Sequence, residues 1–387
     1  MSHSIYSLSS SSRWLEGACP ASIGMSKGYP NISNPAAELG TAVHALGEFC
    51  LKLGIQPADC LDMTFENYKV NHKMTDDAGL YYNMVNDLSL RYGVQPILEG
   101  KVAITSVAQG KIYGTADCIH INLPGRIVHV SDYKNGYGIV DVNGNSQLSG
   151  YGVATLDTYD LWDKVDMVAS SVIQPNGNHI DGPVRTVVQT IDQMKEWRDK
   201  FGRSVALAEQ KTKPVAGEHC TYCPAQANCR ARLNMVLDSA YTEVPIEDIS
   251  IGEVEAIYRE IRSIKVFTDK IEQRMLNEAR QGKLLQDYKL VNSYPRASCD
   301  NVEGLLKVAK ERGVDPLKFY LDPRLVGITQ AKKLLPEAIV RQFYKSPPPS
   351  TTLVSMKDNR PAVRVGKATG FSPIQNTPSL AGVFTAI

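Results

Sequence analysis

The spacing of apolar residues divides the chain into a helical start, a β-rich middle and a helical final third. Four apolar residues recur at helical intervals and predict a helix over residues 36–54 that ends at a glycine. They are Leu39, Val43, Leu46 and Phe49. Further helices are predicted over 76–92 and 189–211. Between them, residues 97–173 alternate β-branched and polar residues and are broken by Gly, Pro and Asn, which predicts a sheet.

The final third returns to helical spacing. Ser250 and Glu253 form a capping box, which predicts the start of a long amphipathic helix that ends at Gly282. Its apolar stripe is typical of a core face or of a face that packs on a partner helix. Two more helices are predicted over 302–312 and 329–344, before a Ser-Pro-Pro-Pro-Ser break.

The length of the chain and the spacing of its apolar residues together predict three regions. A chain of 387 residues is long enough for two or three domains, at about 150 residues each. We expect a core domain over 1–236, a helical C-terminal domain over 237–345 and a Pro-led extended tail over 346–387. No internal repeat is evident in the sequence.

Charge and composition exclude several classes of protein. Lys and Arg number 42 against 41 Asp and Glu, so a net charge of +1 excludes a strongly basic coat for nucleic acid but allows a local groove. No apolar run reaches about 18 residues, and the start lacks a secretory signal, so no membrane association and a cytoplasmic location are expected. Eight cysteines are too few for a disulfide scaffold.

The most informative stretch is GTADCIHINLPGRIVHVSDYKNG, residues 114–136. Two β-like runs flank LPGR, whose Pro-Gly pair suits the corners of a tight turn. A two-residue turn there places Asp117 directly opposite Asp132, with side chains about 5 Å apart. Strand alternation then puts Lys134 on the same face as Asp132. A register slip, or an aspartate on a solvated strand face, is the alternative.

Paired carboxylates favour a bound cation. Asp117 and Asp132 would repel each other by roughly 3 kcal/mol at an effective dielectric near 20. A hard divalent cation such as Mg²⁺ or Mn²⁺ would reverse the sign of that energy. His44 on the first helix offers an imidazole, although such a histidine is often a core or surface residue. Gln147 and Tyr151 lie one helical turn apart and can face the same site.

The fragments GTAVH, GTAD, DYK and QLSGY occur in that order. Their series resembles the motifs of the RecB-like branch of the PD-(D/E)XK nuclease superfamily, and the wider texture is similar to a phage-borne family of that branch. The resemblance implies an α/β fold with a restriction-endonuclease-like core, in which helices flank a mixed central sheet. It also implies a Mg²⁺- or Mn²⁺-dependent DNA exonuclease that acts in phage recombination, replication or DNA processing, in the host cytoplasm.

The same resemblance implies a role for each matching position. The implied metal ligands are His44, Asp117, Asp132 and the backbone carbonyl of Tyr133. Lys134 would position or polarise the attacking water, where its positive charge meets growing negative charge. Gln147 and Tyr151 would line the path of the DNA.

Three cysteines form a second candidate site. Cys220, Cys223 and Cys229 follow the spacing C-x2-C-x5-C, which lacks one ligand for a zinc ion or an iron–sulfur cluster. His219 or the distant Cys19 could supply it. The resemblance to iron–sulfur RecB-like enzymes, such as the AddB subunit and CRISPR-adaptation exonucleases, implies Cys19 and a structural [4Fe–4S] cluster. A zinc site and unligated thiols are the alternatives.

DNA is the expected partner. Residues 195–232 carry eight basic and four acidic residues, and the tail is also basic, so either could contact phosphates. A single-strand annealing or single-strand-binding protein is a second expected partner, and a homo-oligomer is compatible with the helical region. The alternative functions are a DNA-binding or scaffold protein on a nuclease fold, and a zinc-ribbon regulator.

Overall fold

The computed structural model describes seven main stretches of the chain and a few single positions. They are residues 4–29, 35–210, 212–241, 251–293, 297–321, 324–345 and 350–355, with 348, 358, 360, 362 and 363. Ser250, the predicted cap of the long helix, lies outside them. The chain forms two compact units, Met1–Phe267 and Thr268–Ile387. The domain limits expected from the sequence, at residues 236 and 345, stay predictions.

A five-stranded mixed sheet forms the centre of the first unit. Its strands are β1 (Ile97–Ile104), β2 (Ile112–Asn122), β3 (Ile127–Tyr133), β4 (Met167–Ile173) and β5 (Val184–Thr190). They lie side by side in sequence order. Only β3 and β4 run parallel, and the other neighbours are antiparallel. The alternating β-branched residues of the sequence therefore form a sheet, as predicted, and the class is mixed α/β.

Helices flank this sheet. They are α1 (Pro35–Leu53), α2 (His72–Tyr92), α3 (Ser146–Thr158) and α4 (Ile191–Glu209). Two further helices follow in the chain, α5 (Arg230–Tyr241) and α6 (Ile251–Arg280). Side-chain caps fix several of their starts: the Asn71 carboxamide accepts from the Met74 N–H, and Thr190 forms a capping box with Gln193. Gly93 ends α2 in the left-handed conformation that favours glycine.

The first unit has apolar clusters on both faces of the sheet. One face packs against α3, α4 and the N-terminal lead, residues 4–29, which buries Leu8 and Trp14 completely. The Trp14 ring lies 5.8 Å from the ring of Phe201 on α4. The other face packs against α1 and α2, where Tyr81 and Tyr133 are buried. Burial of this apolar area is the main source of stability for the sheet.

The second unit combines a short sheet with small helices. They are β6 (Tyr288–Ser293), α7 (Val302–Glu311), α8 (Ile328–Leu334), α9 (Glu337–Phe343) and β7 (Ser350–Ser355). The sequence predicted one helix over 329–344, and this was wrong, because Pro336 has no N–H to continue the helix. β7, in the predicted tail, pairs antiparallel with β6.

Candidate metal centre

The β2–β3 hairpin has the register predicted from its turn. The ladder pairs Cys118 with Ser131, so Asp117 and Asp132 occupy the next facing positions. At that point a side chain replaces the backbone ladder, since the Tyr133 N–H donates to Asp117 Oδ2 at 2.7 Å. Asp117 is therefore held by the strand that carries its predicted partner.

Glu99 on β1 adds a third carboxylate to this row. The β1–β2 ladder pairs Leu98 with Cys118 and Gly100 with Ala116, which leaves Glu99 facing Asp117 without a ladder pair. Glu99 has a φ of 50°, a conformation uncommon outside glycine. Three carboxylates thus occupy one register position across three neighbouring strands. They belong to Glu99, Asp117 and Asp132.

His44 brings an imidazole from α1 to two of these carboxylates. Its Nε2 lies 3.5 Å from Glu99 Oε1 and 3.7 Å from Asp117 Oδ2. The three ligand atoms lie within 4.8 Å of one another. His44 Nε2 and Glu99 Oε1 are both buried, and neither has a hydrogen-bond partner in the described part of the chain. Buried polar atoms without partners are costly, and a hard divalent cation would satisfy this nitrogen–oxygen set.

The electrostatics of the row also favour a cation. Burial, together with the negative charge of Asp132, raises the pKa of Asp117 to about 7, although His44, Lys134 and the Tyr133 N–H oppose the shift. Burial also raises the pKa of Glu99, with His44 acting in the opposite direction. Each shift measures how poorly the site tolerates uncompensated negative charge.

Asp132 is engaged on both oxygens. Lys134 Nζ lies 2.9 Å from its Oδ2, and Gln147 Nε2 donates to its Oδ1 at 2.9 Å. Burial tends to lower the pKa of Lys134, but the charges of Asp132 and Asp117 outweigh it and the net shift is upward. Lys134 is therefore a cation fixed beside the row.

Gln147 and Tyr151 lie on α3, as their spacing predicted. Asn145 caps this helix by accepting from the Gln147 and Leu148 N–H groups, and so aims Gln147 at Asp132. Tyr151 is buried in the apolar cluster, and burial raises its pKa. The structure thus gives both residues supporting positions, and their expected contact with DNA stays a prediction.

The four cysteines assigned to a cluster lie around one small cavity. Cys19, Cys220, Cys223 and Cys229 all line it, together with His219. Backbone N–H groups already point at two of the sulfurs: Val215 donates to Cys19 Sγ and Gly217 to Cys220 Sγ, both at 3.4 Å. Within the described chain, only His44, Glu99 and Asp117 bring three ligand atoms within 4.8 Å, so no three of these sulfurs do.

The basic stretch 195–232 offers less free charge than its composition indicated. Three of its basic side chains are paired with acids and another is fully buried. The pairs are Lys195 with Asp192, Arg198 with Asp199 and Arg203 with Glu16, and the buried residue is Arg232. A groove for phosphates along this stretch would have to use its other residues.

Sequence reasoning missed Glu99. The signal was an acidic residue inside an apolar β run, followed at once by glycine, in ILEGKVAI. From the sequence alone, such a residue indicates a solvent-exposed strand position. Its place in a site becomes evident only when the neighbouring strand is known. Glu99 joins the site only through the pairing of β1 with β2.

Comparison with known proteins gives a family match and a weak structural likeness. A family model described as "Protein of unknown function (DUF2800)" matches residues 3–361. A solved structure titled "Crystal structure of SSO0001" is similar over 52% of this chain and 89% of its own, at 14% identity and a TM-score of 0.25. No helix in the described part of the chain has the length and apolar character needed to cross a bilayer.

Proposed function

We propose that this chain, which belongs to the DUF2800 family, is a metal-dependent deoxyribonuclease, most simply a DNA exonuclease. The observation that carries the proposal is the row of three carboxylates beside His44 and Lys134. In metal-dependent hydrolysis of a phosphodiester, a cation lies near the phosphate, a water is activated and a further positive charge stabilises the developing anion. The residues present are of the types that can supply these needs.

The metal would be held by His44, Glu99 and Asp117. Their unpartnered buried atoms and raised carboxyl pKa values support this assignment. Bound Mg²⁺ or Mn²⁺ would lower the pKa of a coordinated water and offset negative charge on the phosphate. Asp132 lies next in the row and is available as a further ligand if it exchanges a hydrogen bond from Gln147 or Lys134.

Lys134 would act on the water or the phosphate. Asp132 and Gln147 form a hydrogen-bonded support: Gln147 orients the carboxylate, and the carboxylate holds the ammonium group. The ammonium group stays protonated because the two aspartates raise its pKa. It would therefore orient a water by hydrogen bonding and stabilise negative charge, rather than take up a proton.

The cysteine cavity would hold a [4Fe–4S] cluster that joins the N-terminal lead to residues 220–229. Four thiols around one cavity supply the ligand set that either a zinc ion or an iron–sulfur cluster requires. The resemblance to iron–sulfur RecB-like enzymes favours the cluster. The role would be structural, since the cluster ties segments about 200 residues apart in the sequence.

A cleavage assay on end-labelled DNA tests the proposal. With Mg²⁺ or Mn²⁺, we expect the wild type to degrade DNA and Lys134→Ala to lose at least about 100-fold in rate, as when one charge-stabilising donor is removed. Lys101→Ala, an exposed lysine on β1, is the matched control and should retain activity. Equal rates for wild type and Lys134→Ala would refute catalysis at this site. DNA binding without cleavage would instead favour the scaffold alternative.

A further inference from the structure

The cysteine cavity carries unsatisfied polar groups besides its thiols. Ser22 Oγ, Gln226 Oε1 and Arg232 Nε are buried, lack a hydrogen-bond partner and belong to residues that line the cavity. A buried polar group left unpaired destabilises the folded protein, and a charged one does so more strongly. A cavity with this lining is suited to a polar or ionic occupant.

Arg232 is a buried cation with no anionic partner among the residues that the structure describes. Its side chain is 0% exposed. Nη2 donates to the carbonyl oxygen of Ser263 at 2.9 Å and to its hydroxyl at 2.5 Å, and the guanidinium lies over the Phe267 ring. All of these contacts are neutral, and a buried guanidinium without a counter-ion is strongly destabilising. The residue belongs to α5, one turn after Cys229.

Arg13 approaches the same group of thiols from the N-terminal lead. Its Nε is also buried without a partner, and its Nη1 donates to the Tyr222 carbonyl at 3.4 Å, next to Cys223 in sequence. The Cys19 N–H donates to the Arg13 carbonyl at 3.0 Å, so the backbone of this arginine lies beside a second cysteine of the cavity.

We propose that Arg13 and Arg232 are the counter-ions of the metal–thiolate centre in this cavity. The inference rests on the proposed [4Fe–4S] cluster, which with four thiolates is a dianion in its oxidised form. Two guanidinium groups balance that charge inside the protein, and their free Nε–H groups can donate to cluster or cysteine sulfur. Both residues are positioning residues for the cluster and have no part in DNA hydrolysis.

This arrangement has a measurable electrochemical consequence. One-electron reduction makes the centre more negative, so a buried cation favours the reduced form. Removing the charge at Arg232 should therefore shift the equilibrium at least tenfold toward the oxidised cluster, which is about 59 mV for one electron. Arg232→Lys keeps the charge and should retain most of the potential.

The test uses the full chain, prepared anaerobically and titrated with dithionite while the cluster spectrum is followed. Arg232→Gln is compared with wild type and with Arg230→Gln, an exposed arginine on the same helix. Iron content and the rate of iron loss to a chelator are measured on every sample. Because Arg232→Gln removes a buried group, Arg13→Gln at a less buried position serves as a second variant if the first does not fold.

The outcomes separate this inference from the function it rests on. A lower potential and faster iron loss in Arg232→Gln or Arg13→Gln, with Arg230→Gln unchanged, would support it. If the wild type binds iron and both variants have the same potential and iron retention as the wild type, the counter-ion role is overturned. The cluster itself would then still stand. A wild type that binds no iron would overturn the cluster itself and this inference with it.

Discussion

At the scale of single residues, the site depends on a glutamate in a conformation that glutamate seldom adopts. A φ of 50° at Glu99 brings backbone strain of about 1–3 kcal/mol, which the surrounding sheet must hold in place. Such strain tends to occur at functional positions. Here it interrupts the β1–β2 ladder and leaves Glu99 Oε1 3.5 Å from His44 Nε2.

Replacement of Glu99 by glutamine should weaken metal binding while leaving the fold intact. The amide keeps the shape of the side chain but loses the charge, so we expect the Mn²⁺ concentration for half-saturation to rise by at least about 10-fold. Isothermal calorimetry of Mn²⁺ binding measures this without reference to activity. Glu66→Gln is the matched control, because Glu66 also has a positive φ but is exposed. Unchanged affinity in Glu99→Gln would remove Glu99 from the site.

At the scale of elements, α1 and α2 touch through a glycine. A Cβ at Gly47 would lie 2.8 Å from Cδ1 of the buried Tyr81 ring, and the Tyr81 hydroxyl donates to the Asp117 carbonyl. Gly47→Ala should therefore destabilise the protein by about 1–3 kcal/mol. Urea unfolding measures the change. Gly79→Ala on α2, where a Cβ meets no atom within 4 Å, should instead stabilise by about 0.5–1 kcal/mol. Equal stability of Gly47→Ala and wild type would contradict this account of the contact.

The elements that the sequence predicted well are those fixed by local rules. Helices α1, α2 and α4 follow apolar spacing and end signals, and the β2–β3 register follows from a turn only a few residues long. Pro336 shows where apolar spacing alone fails. The helical spacing of apolar residues continues through this proline, but the helix does not. The place of Glu99 depends on the register of β1 against β2, and the burial of Tyr151 depends on tertiary packing. Neither leaves a local pattern.

At the scale of the whole molecule, two buried histidines should make stability depend on pH. His120 and His129 face each other across β2 and β3 and bond to Ser89 and Tyr92 of α2. Burial lowers the pKa of both to about 4, against about 6.5 when unfolded. At these two sites the unfolded chain therefore binds protons first, so the contribution of the histidines to stability is lost as pH falls from about 6.5 to 4. The raised pKa of Asp117 contributes in the opposite direction, so the histidine contribution is isolated by mutation.

The expected size is about 1.4 kcal/mol per pH unit for each histidine over that interval. Urea unfolding at pH 7 and pH 5 gives the change in unfolding free energy with pH. His129→Gln should remove about half of the part of that change that comes from the two histidines. His72→Gln changes an exposed histidine and serves as the control. An identical slope in wild type and His129→Gln would show that the pair does not govern acid sensitivity.

The packing of the N-terminal lead also constrains the order of events during synthesis on the ribosome. The Glu16 N–H donates to Ser204 Oγ across 188 residues of sequence, and Trp14 packs against Phe201. At about 5–20 residues per second, translation separates the two sides of this contact by about 10–40 s. During that interval Leu8 and Trp14 have no completed core to enter. The nascent chain thus presents an apolar segment that a chaperone can bind before α4 emerges.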